Sequence, residues 1–152
     1  PDATSRSVMK ARREPVRGCL CGRGAAGVWG AVTRLVVPGM NDGTEELRDI
    51  ANFIGGELGP DVPWHVTRFH PDYNMPDGRA TPIAKLVEAA ELGRAAGLRH
   101  VYAGNVPGEA DENTYCPQCH ERVIERQGFA MLENRLQGGR CPKCGGEVAG
   151  VW

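Results

Sequence analysis

From Val28 to Val37 the chain reads "VWGAVTRLVV", a β-branched stretch whose end, Leu35-Val36-Val37, is continuously apolar before Pro38-Gly39. Such a run predicts a strand covered on both faces. The period then changes. In "NDGTEELRDIANFIGGELGP" the apolar positions Leu47, Ile50, Ala51, Ile54 and Leu58 recur at helical spacing, Asp42 can cap, and Glu45 and Glu46 suit the positive helix start. Gly59-Pro60 stops that helix. "PWHVTRFHP" returns to alternation, with Trp64, Val66, Arg68 and His70 on one face and His65, Thr67 and Phe69 on the other. After the loop "DYNMPDGRA", Thr81 as N-cap and Pro82 at the first helical position open a second helix, with Ile83, Leu86, Val87 and Ala90 as its stripe and Gly97 as its stop. "RHVYAGNV" reads as a third strand.

Strand, helix, strand, helix, strand with short links predicts a parallel βαβαβ arrangement with right-handed crossovers. Three parallel strands make a poor complete domain, so the unit reads as a slice of a larger α/β fold or as half of a pair. Upstream, residues 1–27 mix Arg with Gly in "ARREPVRGCLCGRGAAG" without a clean period. They predict loop or poor order, with a short helix around Ser7 to Arg13. Downstream, residues 107–114 read as a linker and 115–152 as a small module. Its "RVIERQGFAMLENRLQGGR" holds Val123, Ile124, Phe129, Met131 and Leu132, enough for a hairpin but not for a core.

The cysteines change the picture of that module. "CPQCH" at 116–120 is answered by "CPKCG" at 141–145, so Cys116, Cys119, Cys141 and Cys144 form two Cys-x-x-Cys knuckles with metal-site spacing. Four thiolates close a tetrahedron and leave no position for water or substrate, which predicts a structural site. Zinc is the default occupant, and iron is also chemically reasonable. A module this small needs its metal to fold. His120, next to Cys119, reads as a surface ring beside the knuckle. Cys19 and Cys21, too close in the chain for an ordinary disulfide, read as free thiols.

Eighteen basic and nineteen acidic residues give a formal net charge of -1, which offers no reason to expect a nucleic-acid or anionic-membrane partner. No long apolar run or signal core is present, so the expected location is cytoplasmic, where cysteines serve as ligands or free thiols. The opening residue, Pro1, suggests a fragment or processed chain. "GRGAAG" precedes a strand instead of following one, which sets aside a dinucleotide-binding loop. In parallel α/β folds the working residues gather at the carboxyl ends of strands, so "PGMND", "HPDYNMPDG" and "GNVPGEADEN" should share one rim. His70, counted as the last residue of its strand and on the Arg68 face, is the residue singled out there.

"AAGVWGAVTRLVVPGMNDGTEELRDIANFIGGELGPDVPWHVTRFHPDYNMPD", then "GLRHVYAGNVPG", "ENTYCPQC" and "RCPKCGGEVAGVW", resemble the later portion of radical S-adenosylmethionine (SAM) enzymes of the activating-enzyme type. Within these they are similar to the AmmeMemoRadiSam system radical SAM proteins, which are related to pyruvate formate-lyase activating enzymes. The resemblance covers about Ala26 to Trp152. It implies that 28–106 are the closing part of a partial (β/α) barrel, that 115–152 are a rubredoxin-like zinc ribbon, and that His70 lies against bound S-adenosylmethionine. It also implies a full-length parent that reductively cleaves S-adenosylmethionine at a [4Fe-4S] cluster, with a missing N-terminal barrel segment, an electron donor and possibly a protein substrate as partners.

One departure limits the implication. The family's Cys-x-x-x-Cys-x-x-Cys motif is absent, and Cys19 and Cys21 do not replace it, so the chain alone is expected to be inactive and no catalytic residue is assigned. A stand-alone zinc-ribbon adaptor and a rubredoxin-like electron carrier are the alternatives.

Overall fold

The structure, a computed structural model, describes residues 13–73, 75–106, 112–128 and 130–152. The short helix expected over 7–13 lies outside them apart from Arg13, as do residues 107–111 of the linker and Phe129. The fold is mixed α/β. Helix α1 (Arg13–Ala25) leads into β1 (Val32–Val36), α2 (Thr44–Phe53), β2 (Trp64–Arg68), α3 (Ile83–Ala95) and β3 (Val101–Gly104). A second, antiparallel sheet follows, of β4 (Thr114–Tyr115), β5 (Arg122–Gln127) and β6 (Ala130–Asn134) in that order.

The first sheet is parallel, in the order β1-β2-β3, with Val32 beside Trp64 and Trp64 beside Val101. Its rows fix which side chains face the helices. Val36, Trp64, Val66 and Val101 pack with Leu47, Ala51 and Ile54 from α2 and its extension and with Leu86, Ala89 and Ala90 from α3. The alternate positions, Thr33, Leu35, His65, Thr67 and Tyr102, point away from that layer. Sequential strand order with right-handed crossovers sends every crossover helix to the same side. The expectation of a first strand covered on both faces therefore fails: Leu35 is 41% exposed.

Several local expectations are also corrected. Residues 13–25 are helical, not loop. Gly18, Gly22 and Gly24 weaken the intrinsic preference, and the compensating contact is tertiary, the Arg17 guanidinium lying 4.3 Å above the Phe53 ring. Asp42 does not cap α2. The N-cap is Gly43, and Asp42 Oδ1 accepts from the Gly39 amide instead. Thr81 likewise does not cap α3. Its buried hydroxyl accepts from the Phe69 amide and donates to the Val36 carbonyl, while its own carbonyl accepts from Arg68 Nε, so it ties the ends of β1 and β2 to the start of α3. Asn41 does a similar job after β1, donating to Leu35 O and accepting from Val37 N. The last turn of the first predicted helix widens into a π-helical turn, Ile54–Leu58, closed by Gly59 at φ 107°.

Gly93 sets the spacing of α3 on the sheet. A Cβ there would stand 2.9 Å from both Trp64 Cε3 and Val101 Cγ2. Gly93→Ala gains about 1 kcal/mol of helix propensity but meets overpacking of about 1–3 kcal/mol. The expected outcome is net loss of stability, read as a lower denaturant midpoint at unchanged slope. A raised midpoint would show that the helix moves off the sheet freely.

Candidate metal centre and the cleft beside it

Each knuckle is built by the same backbone pattern. In the first, the Cys116 amide donates to Glu121 O and the His120 amide to Cys116 O, at 2.8 and 3.0 Å. In the second, the Cys141 amide donates to Gly146 O and the Gly145 amide to Cys141 O, at 2.9 and 2.8 Å. His120 and Gly145 occupy equivalent corners, both left-handed, with φ of 56° and 73°. That conformation costs an L-residue free energy that glycine avoids. His120 is exposed and stands apart from the sulfur group, as its sequence position suggested.

The two turns bring the four Sγ atoms of Cys116, Cys119, Cys141 and Cys144 within 4.8 Å of one another. Cys116 and Cys144 are 3.6 Å apart and Cys119 and Cys141 3.7 Å. A tetrahedral ion with bonds of about 2.3 Å needs sulfurs about 3.8 Å apart. The group can thus hold a metal ion such as zinc. Its four positions are all sulfur, and a four-coordinate ion held by them has no site left for water or substrate.

The bare cluster is electrostatically uneven. The Glu121 amide pulls the Cys119 thiol down, but burial and the neighbouring sulfurs of Cys144, Cys141 and Cys116 outweigh it and push it up to about 12. At Cys141 burial pushes upward, yet the amides of Cys144 and Lys143 and the adjoining sulfurs bring the thiol down to about 7. Thiolates this close cannot all ionise without a cation between them. Lys143, ion-paired to Glu121 at 3.1 Å, adds a positive charge at the edge of the group. The remaining cysteines do not assemble a second site. Cys19 is exposed and Cys21 half-buried on α1, and two residues apart on a helix they point to different sides. They do not fit a [4Fe-4S] cluster, which needs at least three converging thiolates.

Around the metal group, Val123, Ile124 and Val148 with Cys116 and Cys141 form the module's small core, against which Leu136 packs. Two of those five residues are cysteines of the four-sulfur group, so the group and the core are one unit. The module docks beside β3: Tyr102 Oη lies 3.0 Å from Thr114 Oγ1, and the Arg126 guanidinium lies 5.8 Å from the Tyr102 ring centroid. Between the bare sheet face and the module runs a cleft of about 1180 Å³, walled by His65, Thr67 and Tyr102 on one side and by Ile124, Arg126, Val148 and Trp152 on the other.

His70 is not in that cleft. The second strand ends at Arg68, so His70 is not its last residue; it is exposed two residues beyond, at the carboxyl end of the sheet. On the Arg68 face, Trp64 and Val66 are packed beneath the helices. The polar residues that sequence reading passed over are His65 and Tyr102, whose rings stack with centroids 5.0 Å apart. The signal was present. Polar residues alternating with Trp64 and Val66 mark the side that the helices leave bare.

Among curated proteins the chain is similar to one of Methanocaldococcus jannaschii named "Uncharacterized protein MJ0808", with 41% identity over 145 residues. The match takes in 94% of this chain and 44% of that protein, so the chain spans less than half of the relative's length. No family model matches the chain. No solved structure matches it either.

Replacing Cys141 with Ser removes one ligand and one core residue together. The expected result is metal release and loss of the β4–β6 sheet, since structural zinc supplies on the order of ten kcal/mol to such modules. The helical signal of α2 and α3 should persist. Metal analysis with circular dichroism reads both, and unchanged metal content would defeat the assignment.

His100 gives the molecule a pH dependence. It is 4% exposed, its Nε2 has no hydrogen-bond partner among the described residues, and burial lowers its pKa, Asp61 pulling it back up and Arg99 pushing it further down. His65 is lowered too, by burial and then by Arg126. A histidine whose folded pKa lies below its unfolded value of about 6.5 binds fewer protons folded than unfolded, so stability is lost as pH falls through that value. Thermal melts between about pH 7.5 and 5.5 should show the fall, and His100→Phe should make it shallower. An equally steep fall in the variant would remove His100 as a cause.

Proposed function

We propose that this chain is the carboxyl-terminal part of a cytoplasmic radical S-adenosylmethionine enzyme of the activating-enzyme type, in which the four-cysteine module is a zinc ribbon. The observation that carries the reading is the one-sided helix layer. A singly wound parallel sheet with a bare polar face and a free edge at β1 is what a segment of a (β/α) barrel looks like when viewed alone. Helix α1 supports it. Because a right-handed crossover precedes β1 in such a barrel, a strand upstream of α1 would pair with the free edge of Val32–Val36. The greater length of the M. jannaschii relative agrees with a longer parent.

In this reading the whole enzyme reductively cleaves S-adenosylmethionine and takes a hydrogen atom from its substrate, a small molecule or a partner protein. The cluster's ligands lie outside this chain, because its own cysteines do not supply them. What the chain contributes is binding and shape: His70 at the carboxyl rim, within reach of the adenine, and the bare face of β1–β3 as part of the lumen wall. A free-standing adaptor or an electron carrier accounts for the ribbon alone. It gives no role to the bare face.

The coding sequence upstream decides first: a Cys-x-x-x-Cys-x-x-Cys there is expected, and its absence removes the reading. In the reconstituted full-length enzyme, His70→Ala should then weaken S-adenosylmethionine binding by about 1–3 kcal/mol, the range for one stacking contact to a base. Iron and zinc content should not change. Equal affinities in a titration of both proteins would leave the enzyme reading standing but take His70 out of the cofactor site.

A further inference from the structure

The cleft between the bare sheet face and the ribbon has one guanidinium in its wall, and that group is held in an unusual way. Arg126 is the single Lys or Arg among the residues that line the cleft. Its Nη1 donates to Glu112 O at 3.1 Å and to Thr114 Oγ1 at 2.7 Å, and its Cζ lies over the Tyr102 ring. These contacts fix the plane of the group. They also use only one of its edges: Nε and Nη2, the pair that forms a side-on fork, have no partner among the described residues.

Neither of the acidic side chains in the same lining is bonded to that fork. Glu125 pairs with Arg122 at 3.0 Å, and Glu112 Oε2 accepts the Gly128 amide. The rest of the lining mixes polar residues, among them Thr67, Asn105 and Gln127, with a set of aromatic side chains. His65 stacks on Tyr102, Trp29 and Trp152 lie in the lining at 44% and 56% exposure, and the Trp152 ring is fixed by its Nε1 donating to Val148 O at 2.9 Å. His100, also in the lining, carries the buried unpartnered Nε2.

We propose that this cleft is a binding site for a small molecule that joins a carboxylate to a planar ring, with the carboxylate on the Nε/Nη2 edge of Arg126 and the ring among the cleft's aromatic side chains. A planar fork with two parallel donors matches a carboxylate's two oxygens and is stronger than a single neutral hydrogen bond. The ring is retained by burial and stacking. The metal takes part at a distance. Ile124 and Val148 belong both to the ribbon's core and to the cleft wall, so metal occupancy shapes the site without touching its ligand.

The zinc-loaded chain alone is sufficient for the test, with no cluster and no S-adenosylmethionine, so its result is independent of the enzyme reading above. Benzoate, acetate and benzyl alcohol are titrated while the fluorescence of the cleft tryptophans is followed. Benzoate should give a saturable change at a concentration about tenfold or more below either acetate or benzyl alcohol, since only it has both features. Arg126→Gln should weaken benzoate by about tenfold or more. If that variant loses zinc or its fold, Arg126→Lys decides, because it keeps the charge but has no fork, and it too should bind benzoate more weakly. Absence of a saturable benzoate signal, equal response to benzyl alcohol, or wild-type affinity in the folded Arg126 variant would each overturn the site.

Discussion

The handedness of the strand crossovers governs this molecule more than any single contact does. Three consecutive strands lying side by side, each returned to the sheet by a right-handed helical connection, place their helices on one side only. Trp64, Val66, Val36 and Val101 then have α2 and α3 to pack on, and Thr33, Leu35, His65, Thr67 and Tyr102 have none. The cleft lies on the uncovered face. The helix layer itself is held by close packing, with Gly93 admitting the Trp64 ring against α3 and Thr81 joining three elements through one buried hydroxyl.

The cysteine module answers part of the problem that winding creates. It lies against the third strand through Tyr102 and turns its own wall toward the bare face. Its small core is built partly from cysteine sulfur. That core is three apolar residues and two cysteines, a size at which small modules commonly rely on a bound ion, and the two matched turns converge four sulfurs. A closed four-sulfur site has no place for a substrate, so its influence on any ligand in the cleft is mechanical. Ile124 and Val148, which pack against the cysteine cluster, also form the wall.

Electrostatics on the two sides of the molecule differ in kind. At the metal group, crowding of thiols sets the balance, and a cation is the natural remedy. In the cleft, burial lowers the pKa of both His65 and His100, Glu112 accepts the Gly128 amide, Glu125 pairs with Arg122, and the Nε/Nη2 edge of Arg126 has no partner among the described residues. That arrangement leaves one guanidinium edge open in a lining that mixes aromatic and polar side chains. The rim around His70, by contrast, is exposed and open.

The sequence by itself determined the alternation of strands and helices, the small carboxyl-terminal module, and the four cysteines that can hold a metal ion. These are legible because local periodicity and short spacing carry them: Leu47, Ile50 and Ala51 mark a helix wherever it packs, and a Cys-x-x-Cys turn is made by its own backbone. Helix α1 was not legible, because its glycines oppose it and the Phe53 ring that stabilises it is distant in the chain. Thr81 and Asp42 looked like caps and bond elsewhere, since a hydroxyl or carboxylate goes to whichever amide the fold presents. Only the tertiary structure decided which face of β2 is open. Alternation shows that Trp64 and His65 point oppositely; which of them meets a helix depends on where the crossovers run. That choice moved attention from the Arg68 face to His65, Tyr102 and Arg126, three residues that share a cleft only because the ribbon folds back onto the third strand.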